Sequence, residues 1–120
     1  MRYRVKESEL EWAVKCPAIG WIRIPRDGRW SFNGDYERPT FSPSVNETWG
    51  KEGQSMEAFK ADPNPNRNHV IITDGKIEYC ADCTHALAGQ TVVIEPLTYA
   101  EARMCYGEKV QRDYDFPNFL

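Results

Sequence analysis

The stretch His69-Val-Ile-Ile-Thr73, Asp74-Gly75 and Lys76-Ile-Glu-Tyr-Cys80 carries the strongest structural signal in the chain. Two runs rich in β-branched and aromatic residues flank an Asp-Gly pair, which is the composition of a two-residue type I′ turn between antiparallel strands. The sequence therefore predicts a β-hairpin over residues 69–80.

Upstream of this hairpin, short alternating runs predict further strands. Residues 10–14 and 21–24 alternate apolar and polar side chains on either side of the turn-like segment Cys16-Pro-Ala-Ile-Gly20. A third run, at residues 29–32, follows a Pro-to-Gly turn and precedes Asn33-Gly34. We expect these runs to form antiparallel strands joined by tight turns.

The next two segments are less regular. Pro39 and Pro43 interrupt residues 38–45, and because proline cannot donate a hydrogen bond, this pattern predicts an imperfectly paired segment at a sheet edge. Residues 50–68 are polar and rich in Pro and Asn, which predicts a long surface loop with one helical turn at residues 55–60.

The C-terminal third predicts a last strand and one helix. Residues 91–94 are a short apolar run closed by Pro96, and Thr98 can cap a helix that begins at Tyr99 and stops at Gly107. The predicted fold class is mostly β (α+β): a small antiparallel sheet or open barrel with one C-terminal helix, in a single domain over residues 1–120.

Composition excludes several function classes. Of 120 residues, 15 are Lys or Arg and 18 are Asp or Glu, so the net charge of −3 indicates neither a nucleic-acid binder nor a DNA mimic. The N-terminus lacks a signal-peptide pattern, and no stretch approaches the roughly 20 apolar residues of a membrane span. We therefore expect a cytoplasmic protein with reduced cysteines, and composition indicates no oligomeric state.

The segment Cys80-Ala-Asp-Cys83-Thr-His85 concentrates the residues with chemical potential. Two residues between thiolates let both sulfurs reach one tetrahedral ion such as Zn²⁺. The further candidate ligands are Cys16, His69 and His85. The alternative is that these cysteines are inert, because cysteine often packs as a small buried hydrophobe.

The same segment offers a catalytic interpretation. Cys83 would be the nucleophile, His85 or His69 the base, and Asp82 the orienting carboxylate. On a strand Cys83 and His85 would share a face while Asp82 points away, so the residues converge only if this segment turns.

A third interpretation is a nucleotide site built from aromatic and arginine side chains. Its candidates are Trp12, Trp21, Trp30, Phe32, Phe41, Arg23, Arg26, Arg29 and Arg38. Aromatic residues on alternating strands pack more often in a core, and arginines more often form a solvated rim.

Three motifs support a resemblance. Trp30-Ser-Phe-Asn-Gly34, Arg38-Pro-Thr-Phe-Ser-Pro-Ser44 and Asp82-Cys-Thr-His-Ala-Leu-Ala-Gly-Gln-Thr-Val92 resemble a family of small proteins of tailed phages and prophages, some labelled ammonia monooxygenase. The resemblance implies a phage protein acting in the cytoplasm of the bacterial host. It also implies metal-binding cysteines at two positions where this chain has Ile19 and Asn68.

Because the ligand set and the catalytic set both look incomplete, the sequence favours a non-enzymatic module. It would bind a host protein or protein complex, with inhibition of host defence as one role. The alternatives are a cysteine-dependent hydrolase or peptidase using Cys83 and His85, and a protein that sequesters a small nucleotide.

Overall fold

Two antiparallel sheets form the framework of residues 1–114, which are the residues described by the computed structural model. The N-terminal sheet contains β1 (Lys6–Glu7), β2 (Glu11–Cys16) and β3 (Gly20–Pro25) in that order. The strands expected at residues 10–14 and 21–24 are thus confirmed, and they pair from Glu11 with Pro25 to Cys16 with Gly20.

The central sheet has five strands, which lie side by side in chain order. They are β4 (Ser31–Phe32), β5 (Phe41–Trp49), β6 (Asn66–Thr73), β7 (Lys76–Tyr79) and β8 (Thr91–Val93). The predicted fold class is confirmed, and the described strands form two open sheets rather than a closed barrel.

The predicted hairpin is formed by β6 and β7. Thr73 pairs with Lys76, and the two turn residues between them have positive φ angles, 51° at Asp74 and 76° at Gly75. A type I′ turn requires positive φ at both central residues, which explains the Asp-Gly pair.

The prediction of an edge segment at residues 38–45 is corrected by the structure. The strand β5 lies between β4 and β6, although β4 pairs with only its first two residues, Phe41 and Ser42. The expected imperfect pairing is present as a register shift between Phe41 and Val45.

The predicted loop at residues 50–68 is shorter than expected. Strand β5 extends to Trp49, which pairs with Asn66, so residues 66–68 belong to β6. The loop holds the short helix α1 (Met56–Ala61), whose first turn is capped by the Ser55 side chain. Propensity missed these strand residues because cross-strand pairing outweighs their polar character.

The C-terminal helix α2 (Tyr99–Tyr106) begins and ends as predicted. Thr98 and Glu101 form a capping box, and Gly107 caps the other end with a positive φ. A 3₁₀ turn (Gly107–Lys109) follows. In the described part of the chain no helix is long and apolar enough to cross a membrane.

The main core lies between the two sheets. Ile22 and Ile24 of β3 and Val70 and Ile72 of β6 are at most 1% exposed, and each such side chain contributes about 1.5–3 kcal/mol through burial. Because side chains alternate along a strand, burial of Val70 and Ile72 directs His69 to the outer face of the central sheet.

Candidate active site

A serine and a histidine meet on this outer face. The Ser44 Oγ lies 3.1 Å from the Nε2 of His69, within hydrogen-bonding distance. Ser44 belongs to β5 and His69 to the neighbouring β6, and Asn46, two residues after Ser44, is the register partner of His69. The two side chains are therefore diagonal neighbours across the strand pair.

A carboxylate holds the other side of the imidazole. The Nδ1 of His69 lies 3.1 Å from Oδ1 and 3.2 Å from Oδ2 of Asp82. An ionised carboxylate can only accept hydrogen bonds, so Nδ1 carries the ring proton and Nε2 accepts the Ser44 hydroxyl proton. Ser44, His69 and Asp82 thus have the connectivity of a serine, histidine and aspartate triad.

A β-turn places Asp82 beside the ring. The Cys83 N–H donates to the Cys80 carbonyl oxygen at 3.1 Å, which makes Asp82 a corner residue of the turn. The turn is fastened to the backbone of His69, because the Cys80 N–H donates to the His69 oxygen and the His69 N–H donates to the Cys83 sulfur. The segment from Cys80 to Cys83 was considered above as a metal-binding knuckle. Its hydrogen bonds to the His69 backbone, called the clamp below, hold the imidazole of His69 next to the carboxylate of Asp82.

A β-bulge and a tryptophan fix the serine. Residues 42–44 of β5 oppose Ile71 alone on β6, an arrangement that changes the direction of the side chains in the bulge. The Trp30 indole N–H donates to the carbonyl oxygen of Ser44 at 3.2 Å. Trp30 immediately precedes β4, so the segment that leads into β4 anchors the backbone of Ser44.

The guanidinium of Arg67 lies near the carboxylate of Asp82. The Nε of Arg67 is 4.0 Å from Oδ2 of Asp82, and its Nη1 donates to the Asn46 side-chain oxygen at 3.1 Å. The Asp82 side chain is 52% exposed, so this ion pair is screened by solvent and its energetic contribution is small.

His85, the other base candidate predicted from the sequence, lies on the opposite face of β6 from His69. Its Nδ1 accepts from the Leu87 N–H at 3.2 Å, which leaves the proton on Nε2 to donate to the Asn68 side-chain oxygen at 2.7 Å. Asn68 is fully buried, and among residues 1–114 its Nδ2 has no hydrogen-bond partner. His85 thus packs on the core side of β6, opposite to the face that carries His69.

The five predicted metal ligands divide into two groups. The Cys16 sulfur lies 2.9 Å from the Tyr79 hydroxyl, and the His85 ring packs edge-on against the ring of Tyr79 with centroids 5.0 Å apart. Burial, reinforced by Cys16, raises the pKa of Tyr79. Cys83 is also buried here, at 8% exposure, so Cys16, Cys83 and His85 surround a tyrosine.

The other two predicted ligands lie at the triad. Within residues 1–114, one group of three or more His, Cys, Asp or Glu side chains has its ligand atoms all within 4.8 Å of one another, namely His69, Cys80 and Asp82. Burial and the nearby charge of Asp82 raise the pKa of the Cys80 thiol. These three residues could hold a metal ion, and Asp82 had not been predicted as a ligand.

The aromatic and arginine candidates for a nucleotide site are largely paired with each other. Phe32 stacks on Phe41 with centroids 4.7 Å apart, and Trp12 packs 5.4 Å from Phe41. The guanidinium of Arg26 covers the Trp12 ring at 4.9 Å. These contacts favour the interpretation of the aromatic residues as packing.

Sequence reasoning did not identify Ser44. It forms the end of the Arg38-to-Ser44 motif but has no local signature, such as a nucleophile elbow, that marks a reactive serine. No local pattern marks Ser44 as the diagonal neighbour of His69, because that proximity depends on the register of β5 against β6.

Comparison with known protein families gives a match that includes two of the three triad residues. Residues 3–80 match the model of a family described as "Bacterial ubiquitination-like system serine protease (BubE)". The matched range covers more than half of the chain and includes Ser44 and His69, and Asp82 follows it closely. Comparisons with curated proteins and with solved structures give no significant match.

Proposed function

The chain belongs to this serine protease family, and from that premise we propose that it is a peptidase with Ser44 as nucleophile, His69 as general base and Asp82 as orienting carboxylate. The observation that carries the proposal is the continuous hydrogen-bonded connection from Ser44 Oγ through both ring nitrogens of His69 to Asp82. Distances of about 3.1 Å are typical of such sites without substrate.

In the first half of the reaction, Ser44 Oγ attacks the carbonyl carbon of the scissile bond while its proton passes to Nε2 of His69. Asp82 stabilises the resulting imidazolium through Nδ1, because the positive ring and the carboxylate then form an ion pair. The imidazolium donates the proton to the leaving amine, and an acyl-enzyme on Ser44 remains.

In the second half, water attacks the acyl-enzyme. His69 accepts a proton from the water, and the Ser44 oxygen leaves as the ester bond breaks and takes this proton back. The acid product departs and the triad returns to its starting state. The clamp formed by Cys80 and Cys83 keeps the ring and the carboxylate in place throughout both halves.

For the substrate, we propose a peptide or isopeptide bond attached to a ubiquitin-like protein. The name of the matched family supports this class, since it refers to a ubiquitination-like system of bacteria. The host partner expected from sequence would then be the ubiquitin-like protein or its conjugate. The setting that we propose is the bacterial cytoplasm, with the phage or prophage origin that the motif resemblance implies.

The test is covalent labelling of the purified protein with a fluorophosphonate probe, which reacts with activated serines. We expect stoichiometric labelling of the wild type, with the adduct located at Ser44 by peptide mass spectrometry. Ser44→Ala should abolish it. Ser42→Ala is the matched control, because Ser42 lies on the same strand two residues away and is exposed.

Labelling that persists in Ser44→Ala would contradict the proposal, as would a folded wild-type protein that never labels. Cleavage of a fusion between a ubiquitin-like protein and a reporter then tests the substrate class. Ser44→Ala should lower this cleavage by about 10⁴-fold or more, the loss typical for removal of a triad nucleophile.

A further inference from the structure

The proposed peptidase mechanism gives no role to the side chain of Cys80, which lies beside the triad. Cys80 is half-buried at the first position of the turn that carries Asp82, and its sulfur lies within 4.8 Å of ligand atoms of both His69 and Asp82. Thiolate, imidazole and carboxylate together are a donor set that zinc-like cations prefer.

We propose that His69, Cys80 and Asp82 bind a thiophilic divalent cation such as Zn²⁺, and that this cation blocks the serine nucleophile. The binding half of the proposal, that these residues bind a cation, depends only on the geometry of the three side chains. The blocking half, that the cation blocks Ser44, rests on the proposed function. The site lies on the outer face of the central sheet, separate from the buried surroundings of Cys16 and Tyr79.

The geometry requires only a small adjustment. Tetrahedral zinc with bonds of about 2.0–2.3 Å holds its ligand atoms about 3.3–3.8 Å apart. The observed upper limit of 4.8 Å exceeds these separations by about 1.0–1.5 Å. Asp82 is 52% exposed and can rotate inward, while hydrogen bonds from the turn fix the backbone of His69. Because the site is open to solvent, a water molecule would occupy the fourth coordination position of the cation.

Occupation of this site removes the general base. The nitrogen of His69 that faces Asp82 is Nδ1, so the cation takes the place of the Nδ1 proton. The neutral ring then carries its proton on Nε2, and the Cys80 thiol releases its proton to solvent. An Nε2–H can donate to Ser44 Oγ but cannot accept the hydroxyl proton, so the nucleophile stays unactivated.

Cobalt(II) spectroscopy tests the binding half without reference to activity. Titration of metal-free protein with Co²⁺ should produce a near-ultraviolet thiolate-to-cobalt charge-transfer band that saturates at one equivalent and that Zn²⁺ removes. Cys80→Ser should lose the band, whereas Ser44→Ala and the control Cys105→Ser, a cysteine of α2, should keep it. A missing band in the wild type, or a band that survives in Cys80→Ser, would overturn the site.

Fluorophosphonate labelling tests the blocking half. One equivalent of Zn²⁺ should slow labelling of chelator-treated wild type at least tenfold, and added chelator should restore it. With each rate expressed relative to the same protein's own metal-free rate, Cys80→Ser should need at least tenfold more Zn²⁺ for the same inhibition. Equal zinc sensitivity of the two proteins would overturn the blockade. Metal-free wild type that never labels would contradict the proposed function, while the cobalt band would still support the cation site.

Discussion

At the scale of single residues, the orientation of His69 is the feature on which the proposed chemistry depends. We predict that Asp82→Asn lowers the rate of Ser44 labelling by about 10³–10⁴-fold. An asparagine amide can donate to Nδ1, which would place the ring proton on Nε2 and leave no acceptor for the Ser44 hydroxyl. The measurement is the labelling rate at neutral pH, with the thermal midpoint recorded for each variant.

Asp113→Asn is the control for this substitution, because Asp113 is exposed in the C-terminal turn. It should label at the wild-type rate. An Asp82→Asn protein that is folded and labels within a factor of three of wild type would remove Asp82 from the catalytic set.

A second residue-scale prediction separates serine from cysteine catalysis. Cys83 is 8% exposed and its sulfur contacts the backbone of His69, so we expect slow alkylation by iodoacetamide in the folded protein. Cys83→Ser should retain at least a tenth of wild-type labelling, since a hydroxyl can make the same backbone contacts. Rapid alkylation of Cys83 with parallel loss of peptidase activity would instead support the cysteine-dependent hypothesis.

Sequence alone indicated part of this site. Asp82 was proposed as an orienting carboxylate and His69 as one of two candidate bases, both with Cys83 as the nucleophile, from the general logic of nucleophile, base and orienting group. Ser44 was not recognised, since its role depends on the register of β5 against β6 and on the bulge at residues 42–44. Such cross-strand geometry is not encoded in any local pattern.

At the scale of elements, the β6–β7 hairpin connects the histidine to the turn that carries the aspartate. We predict that Gly75→Ala destabilises the protein by about 1–3 kcal/mol. The residue has φ of 76°, and an added Cβ would lie 3.3 Å from the Arg38 Cα, so both strain and crowding oppose the change. Urea denaturation with constant m-value provides the measurement.

Gly53→Ala is a matched comparison because Gly53 has the same φ of 76° but no atom within 4 Å of its added Cβ. It should cost about 1 kcal/mol from the backbone alone. Equal losses for the two variants would show that contact with Arg38 contributes nothing to the cost.

The elements themselves were largely predictable. Asp-Gly specified the hairpin, and Thr98 with Glu101 specified the start of α2, because turns and caps are local in sequence. The sequence did not predict that β5 extends to Trp49 or that β6 begins at Asn66. The residues there are mostly polar, so the pairing of the two backbones is not marked by an alternating apolar pattern. Local patterns therefore predicted elements better than their lengths or neighbours.

At the scale of the whole molecule, the two faces of the central sheet have different roles. The inner face packs against the N-terminal sheet through side chains such as Val70 and Ile72. The outer face carries Ser44 and His69 beside the exposed Ile71. One cavity of the described residues, lined by Trp21 and Glu101 among others, does not include the triad residues. For the proposed peptidase, we therefore expect a substrate to lie across the surface of the central sheet.

This arrangement leads to a prediction about substrate size. A shallow site offers little binding energy to a short peptide, whereas a folded protein attached to the scissile bond can contact the sheet surface at a distance and use that energy in the transition state. We expect kcat/KM for a ubiquitin-like protein fused to a reporter to exceed that for a peptide of its last few residues by at least about 10²-fold. Ile71→Asp, which places a charge on the same face two residues from His69, should lower kcat/KM for the fusion by about tenfold while the fluorophosphonate labelling rate stays unchanged. If the peptide were cleaved as efficiently as the fusion, recognition would lie within the residues adjacent to the scissile bond, and the outer face would serve only to hold the triad.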